Sequence, residues 1–116
     1  TLHTLNLYGN FVGDKIAPIL HSGVITTLNL GENSLNATHA QNLAAALADN
    51  RSLTSLNLES NDIGNLGAIS IALSISHHPL LTVLEIGSCG FGDDAAIAFG
   101  KALSTNTQLT YLDLYN

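Results

Sequence analysis

The residues that could do chemistry are few, and their spacing argues against a catalytic or metal centre. His77-His78 invites a metal hypothesis. Adjacent residues at a helix end point to different sides, and no Cys, His or carboxylate set stands around them at ligand spacing. The reading of the pair is two histidines at a helix C-terminus, where the dipole favours positive charge. Asp93-Asp94 sits at the start of a predicted helix, where carboxylates complement the dipole instead of gripping a metal. His39, near a helix start, and His21, in a loop, add nothing to either. Serine, histidine and aspartate are all present, but no G-x-S-x-G elbow, phosphate-binding loop or dinucleotide fingerprint places them. The sequons Asn36-Ala37-Thr38 and Asn50-Arg51-Ser52 match what composition alone predicts, so they do not argue for secretion. No catalytic residue, metal or cofactor is expected, and the chain reads as non-enzymatic.

Composition narrows the partner classes. The chain has 116 residues, nine acids against three bases and a net charge of −6. A nucleic-acid binder needs a basic stripe, and an anionic membrane surface repels this balance. No apolar run approaches the roughly 20 residues that span a bilayer, and no signal peptide is visible at Thr1-Leu2-His3-Thr4. The single cysteine, Cys89, cannot form an intramolecular disulfide and fits a reducing, cytoplasmic setting. A protein partner is the remaining expectation.

The elements that would position any binding residues are written in a repeat. Leu53-Thr54-Ser55-Leu56-Asn57-Leu58-Glu59-Ser60-Asn61-Asp62-Ile63 recurs as Leu81-Thr82-Val83-Leu84-Glu85-Ile86-Gly87-Ser88-Cys89-Gly90-Phe91. The same frame fits from Ile25 to Leu35 and from Leu2 to Val12, and a further copy begins at Leu109. Residues 1–116 therefore read as one array, with units starting near 2, 25, 53, 81 and 109 and the last unit truncated. Leu56, Leu58 and their equivalents alternate with polar residues, the period of a half-buried strand. Asn10, Asn33, Asn61 and Cys89 form a structural column after each strand. A buried amide there can donate and accept for backbone groups that no strand ladder reaches, and the thiol of Cys89 acts mostly as a small buried hydrophobe. The second half of each unit predicts a helix. Asn36 caps the one over 36–48. Leu43 and Leu47, Ile71 and Ile75, and Phe99 and Leu103 lie on its inner face, with Ala40, Ala68 and Ala96 as a small-residue column. Asn50, His78 and Asn106 follow the helices as stops. The first unit is five residues short, leaving room for a turn or two of helix around Pro18.

This frame resembles the leucine-rich repeat, L-x-x-L-x-L-x-x-N/C-x-L. The 28-residue period with alanine-rich second halves is similar to the ribonuclease-inhibitor-like subclass found in intracellular immune receptors, Ran GTPase-activating proteins and bacterial effectors. The resemblance implies an α/β solenoid, or horseshoe, with a short parallel sheet on the concave face and helices on the convex face. It also implies a non-catalytic module that binds a protein along the concave face in the cytoplasm (the host cytosol, for an effector). Two other roles follow from the same resemblance: a GTPase-activating module, for which Arg51 is the only arginine on offer, and a purely structural segment of a larger effector or receptor.

On that concave face the outward side chains form three columns across the repeats. They are Thr4, Thr27, Ser55, Val83, Tyr111; then Asn6, Asn29, Asn57, Glu85, Asp113; then Tyr8, Gly31, Glu59, Gly87, Tyr115. Tyrosine anchors interfaces and carboxylates steer basic partners. The expected partner-binding residues are Tyr8, Asn29, Asn57, Glu59, Glu85, Tyr111, Asp113 and Tyr115, and the expected partner is a basic protein. Both ends of the array lack a polar capping element, so the chain is expected to be a piece of a longer array or to associate end to end.

Overall fold

A computed structural model describes all 116 residues. Each repeat supplies one three-residue strand and one helix. The strands are β1 (Thr4–Asn6), β2 (Thr27–Asn29), β3 (Ser55–Asn57), β4 (Val83–Glu85) and β5 (Tyr111–Asp113). They form one parallel sheet in chain order, β1-β2-β3-β4-β5. The helices are α1 (Ile16–His21), which follows a 3-10 turn at Gly13–Lys15, α2 (Ala37–Asp49), α3 (Gly64–Ile75) and α4 (Asp93–Leu103). They form a second layer over one side of the sheet, leaving the other side open.

The repeat frame sets the register without slippage. Leu5, Leu28, Leu56, Leu84 and Leu112 pair in one line, so every strand turns its leucine toward the helices. A one-residue slip would put all of them in solvent. In the middle repeats Leu28, Leu30, Leu56, Leu58, Leu84 and Ile86 are buried to within about one per cent, with Leu43, Leu47, Ile71, Ile75 and Phe99 above them. Gly67 lets α3 approach α2: a Cβ there would sit 2.8 Å from the Ala40 methyl.

Polar side chains close the gaps between strands and helices as three ladders. Asn61 Nδ2 donates to the Leu30 and Leu58 carbonyls, while its Oδ1 accepts from the Asn33 and Leu35 amides at 3.0 and 2.9 Å. Asn33 does the same one repeat earlier, donating to Leu7, Leu30 and Gly31 and accepting from Val12. Cys89 Sγ donates to Leu58 and Gly87, and burial pushes its thiol up to about 11. Asn10 departs from the expectation of a buried column. It keeps its bonds to the Leu7 and Tyr8 carbonyls but is exposed, because no repeat of this chain packs on its outer side. A threonine ladder, Thr26, Thr54, Thr82 and Thr110, runs along the strand starts. Each hydroxyl donates to the carbonyl of the equivalent position one repeat earlier.

The third ladder adds a second role to Asn50, His78 and Asn106, which follow the ends of their helices as expected, Asn50 as the C-cap of α2. Asn50 lies at φ −71°, ψ 139°, which is not the left-handed stop conformation. Its amide also bridges repeats. Nδ2 donates to the Leu20 carbonyl at 2.8 Å, and Oδ1 accepts from the Ser52 and Leu53 amides. Asn106 repeats this with Ile75, Gln108 and Leu109. His78 takes the same place, its Nδ1 accepting from Leu80 and Leu81. It is therefore not a charged residue at a helix end. It is buried and neutral, with its basicity lowered first by desolvation and then by Arg51, and its Nε2 has no partner. Only His77 stays in solvent.

Three further expectations change. His39 is part of the α2 start: its Nδ1 accepts from the Asn36 amide while Asn36 Oδ1 accepts from the His39 amide, a reciprocal cap. Ala96 and Leu103 are exposed, although Ala40, Ala68, Leu47 and Ile75 at the equivalent positions are buried. Their columns end at α4, which has no helix on its far side, and Ala95 fills the inner position instead.

Candidate functional site

The three outward columns lie on the open side of the sheet, in register. Thr4, Thr27, Ser55, Val83 and Tyr111 pair in one line, and Asn6, Asn29, Asn57, Glu85 and Asp113 in another. The second line is partly structural. Asn6, Asn29, Asn57 and Asp113 each accept the amide two residues on, at 3.0, 3.0, 2.8 and 3.0 Å, turning the chain after each strand. Asn29 and Asn57 thus have their oxygens engaged within the fold. Glu85 is one carbon too long for that turn and instead accepts from Asn57 Nδ2 at 2.9 Å.

The third column holds the feature that sequence reasoning did not resolve. Tyr8 lies over Gly31, where a Cβ would come within 2.8 Å of the ring, and Tyr115 lies over Gly87, where a Cβ would overlap the ring. The two rings lean inward from the two ends of the sheet toward Glu59, which occupies the middle repeat. The Tyr115 hydroxyl donates to Glu59 Oε1. The Tyr8 hydroxyl sits beside the Glu32 carboxylate and within electrostatic reach of Glu59 and Tyr115. Both phenols are held above their usual 10, Tyr8 by Glu32 and Tyr115 by Glu59, so both remain neutral donors at physiological pH. The signal in the sequence was the alternation of glycine with large residues in one column: only a glycine admits a ring flat against the neighbouring backbone.

Tyr8, Tyr111 and Tyr115 are each about half exposed. Glu32, Glu59, Glu85 and Asp113 bring four carboxylates to this side. The chain's three cations lie elsewhere: Lys15 in the 3-10 turn, Lys101 on α4, and Arg51 after α2, where Nη1 donates to the Ala48 and Asn50 carbonyls. His39 Nε2 stands 3.8 Å from an Asp14 carboxylate oxygen on the helical side. No group of three or more histidine, cysteine or carboxylate side chains is placed to hold a metal ion. Asp93 and Asp94 stand in the first turn of α4, and no helix is long and apolar enough to cross a membrane.

A family model described as "Leucine Rich repeat" matches residues 49–72 and 77–100. Those two segments carry the leucine-rich repeat. Among solved structures, the chain is similar to "Leiomodin-1 Actin-Binding Site 2 (ABS2)". The TM-score is 0.85 at 24% identity, covering 97% of this chain and 70% of that one. It is also similar to the tropomodulin C-terminal domain of Caenorhabditis elegans, with a TM-score of 0.85 at 15% identity, covering 99% and 74%. At these identities the likeness is one of fold. No curated protein matches the sequence significantly.

Proposed function

We propose that this leucine-rich repeat chain is a non-catalytic module that binds a basic protein in the cytoplasm through the open side of its sheet. The observation that carries the reading is the lone sign of charge on that side: four carboxylates beside three half-exposed tyrosines, with every cation on other surfaces. Such a surface attracts a basic partner and repels nucleic acid and anionic membrane. Strands about 4.8 Å apart beneath helices about 8–10 Å apart favour an arc with the sheet inside, the horseshoe of the ribonuclease-inhibitor-like subclass. An inner surface of that shape suits extended contact with a protein. The similar leiomodin-1 structure is an actin-binding site. Actin is therefore a defined protein to try, although the shared fold does not carry the partner across.

The alternative of GTPase activation draws no support from Arg51, whose Nη1 is engaged by the Ala48 and Asn50 carbonyls at the end of α2. The ends of the array also lead us to propose end-to-end self-association: Leu5, Leu7, Leu112 and Leu114 are half-buried where their equivalents are covered completely.

The test is comparative affinity capture from a cytosolic extract. Protein captured by the wild type and lost by Tyr111→Ala/Asp113→Ala/Tyr115→Ala, but retained by the helix-side control Leu66→Ala/Leu73→Ala, is the expected result. Its retention should also weaken as salt is raised. Equal retention by both variants overturns the reading in favour of a structural segment.

A further inference from the structure

We infer that Glu59, between the rings of Tyr8 and Tyr115, is the seat for a single basic side chain, lysine or arginine, of the partner. The inference deepens the reading of the open sheet side as the binding surface and rests on it.

Three observations single out Glu59 among the carboxylates of that side. First, it is the one carboxylate of that side that acts on both tyrosines, with Tyr115 bonded to it and Tyr8 within its electrostatic reach. Glu85 Oε2 accepts from Asn57, Asp113 Oδ1 accepts from the Tyr115 amide, and Glu32 lies beside the Tyr8 hydroxyl alone. Glu59 uses Oε1 for the Tyr115 hydroxyl, and Oε2 makes no bond within the chain. Second, the seat is built. Gly31 and Gly87 are buried beneath the two rings, which fixes the rings against the backbone on either side of Glu59. The tyrosines remain 48% and 51% exposed, so their outer surfaces face the approaching partner. Third, no cation of this chain reaches the seat, since Lys15, Arg51 and Lys101 belong to the helices and their loops.

An ammonium or guanidinium placed there meets the free Oε2 of Glu59, while the exposed outer faces of the tyrosine rings are open to the rest of the partner's side chain. Carboxylate and aromatic attraction then act on the same side chain. Arginine can stack its plane on a ring while donating to Oε2, whereas lysine offers only a point charge. The Tyr115 hydroxyl keeps Glu59 from swinging away when the seat is vacant, which lowers the ordering cost of binding.

The probes are the N-acetyl methylamides of arginine and lysine, with the citrulline derivative as an uncharged isostere, titrated into the 15N-labelled chain. The expected result is saturating amide shifts confined to Tyr8, Gly31, Glu59, Gly87 and Tyr115. Arginine, lysine or both should produce them and citrulline should not. Glu59→Gln keeps an acceptor for Tyr115 and should abolish the shifts; Tyr8→Leu should weaken the affinity several-fold. A larger effect of arginine supports ring stacking, and equal effects support a seat for charge alone. Shifts that are absent, spread over the surface, equal for citrulline or unchanged in Glu59→Gln overturn the inference. The two proposals fail separately. Capture that depends on the sheet side but not on Glu59→Gln overturns the seat and leaves the surface standing. Amide binding at Glu59 with capture independent of the sheet side does the reverse.

Discussion

His78 shows how one residue type changes the energetics of a ladder that its neighbours complete. Asn50 and Asn106 each accept two amides and donate to a carbonyl of the preceding repeat. His78 accepts the two amides, but its Nε2 is buried without a partner. A proton on Nδ1 would break both accepted bonds in a desolvated place, so the folded state refuses it. The unfolded chain accepts a proton near the ordinary histidine value of 6.5. As pH falls from 7 toward 5 the unfolded state therefore binds more protons and the fold loses stability; above 7 this contribution is fully present. His78→Asn restores a donor that can reach the preceding repeat. It should raise stability by about 1 kcal/mol and flatten the loss between pH 7 and 5. Urea unfolding at several pH values checks both. An unchanged slope would mean that another histidine carries it.

At the level of the element, the asparagine column predicts a contrast between two residues of identical type. Asn61 is buried, donates to two carbonyls and accepts two amides that belong to the repeat before it. Asn61→Ala strands the two amides, whereas the Leu30 and Leu58 carbonyls keep their bonds from Asn33 and Cys89, and should cost about 2 kcal/mol or more, given roughly 1–3 kcal/mol for each buried group left unpaired. Asn10 makes similar carbonyl bonds in solvent, where water replaces them, so Asn10→Ala should cost less than about 1 kcal/mol. Comparable losses in thermal unfolding would show that the ladder does not stiffen as it becomes buried.

Much of this element structure was legible. Strand register, helix order and the Asn36 cap follow from side-chain period and residue type, which act locally. The threonine ladder recurs as one residue type every 28 positions, but its bonds to the preceding repeat emerge only from the structure. Other features were not readable locally. Ser60 and Ser88 hold left-handed φ values of 58° and 52°, which serine does not signal. His39 caps α2 in a place usually filled by glutamate or glutamine. Ala96 and Leu103 carry the letters of a core column, but their burial depends on a neighbour beyond α4. The candidate site divides in the same way. Its columns were readable from the strand period, whereas the lean of Tyr8 and Tyr115 onto Glu59 arises from packing between different repeats.

For the whole molecule the consequence of stacking is that each repeat is completed by the next. Position 2 of the frame is buried at Ile25, Leu53 and Leu81, yet Leu2 is 61% exposed; at the other end Leu103 is 45% exposed where Ile75 and Leu47 are covered. The outer edges of β1 and β5 also carry backbone groups with no strand beside them. In the end-to-end association proposed above the two end surfaces differ, so contact between copies would run head to tail and would not close on itself. The mass in solution should therefore rise continuously with concentration instead of stopping at a dimer, as measured by sedimentation velocity over a wide dilution series. Leu2→Lys and Leu103→Lys place a charge where the next copy would dock. Because both positions are already exposed, neither substitution should unfold the chain, and either one alone should return it to a monomer. Leu66→Lys, pointing outward from α3, should leave association unchanged. A wild type that stays monomeric at every concentration would show that these ends, apolar as they are, do not recognise one another.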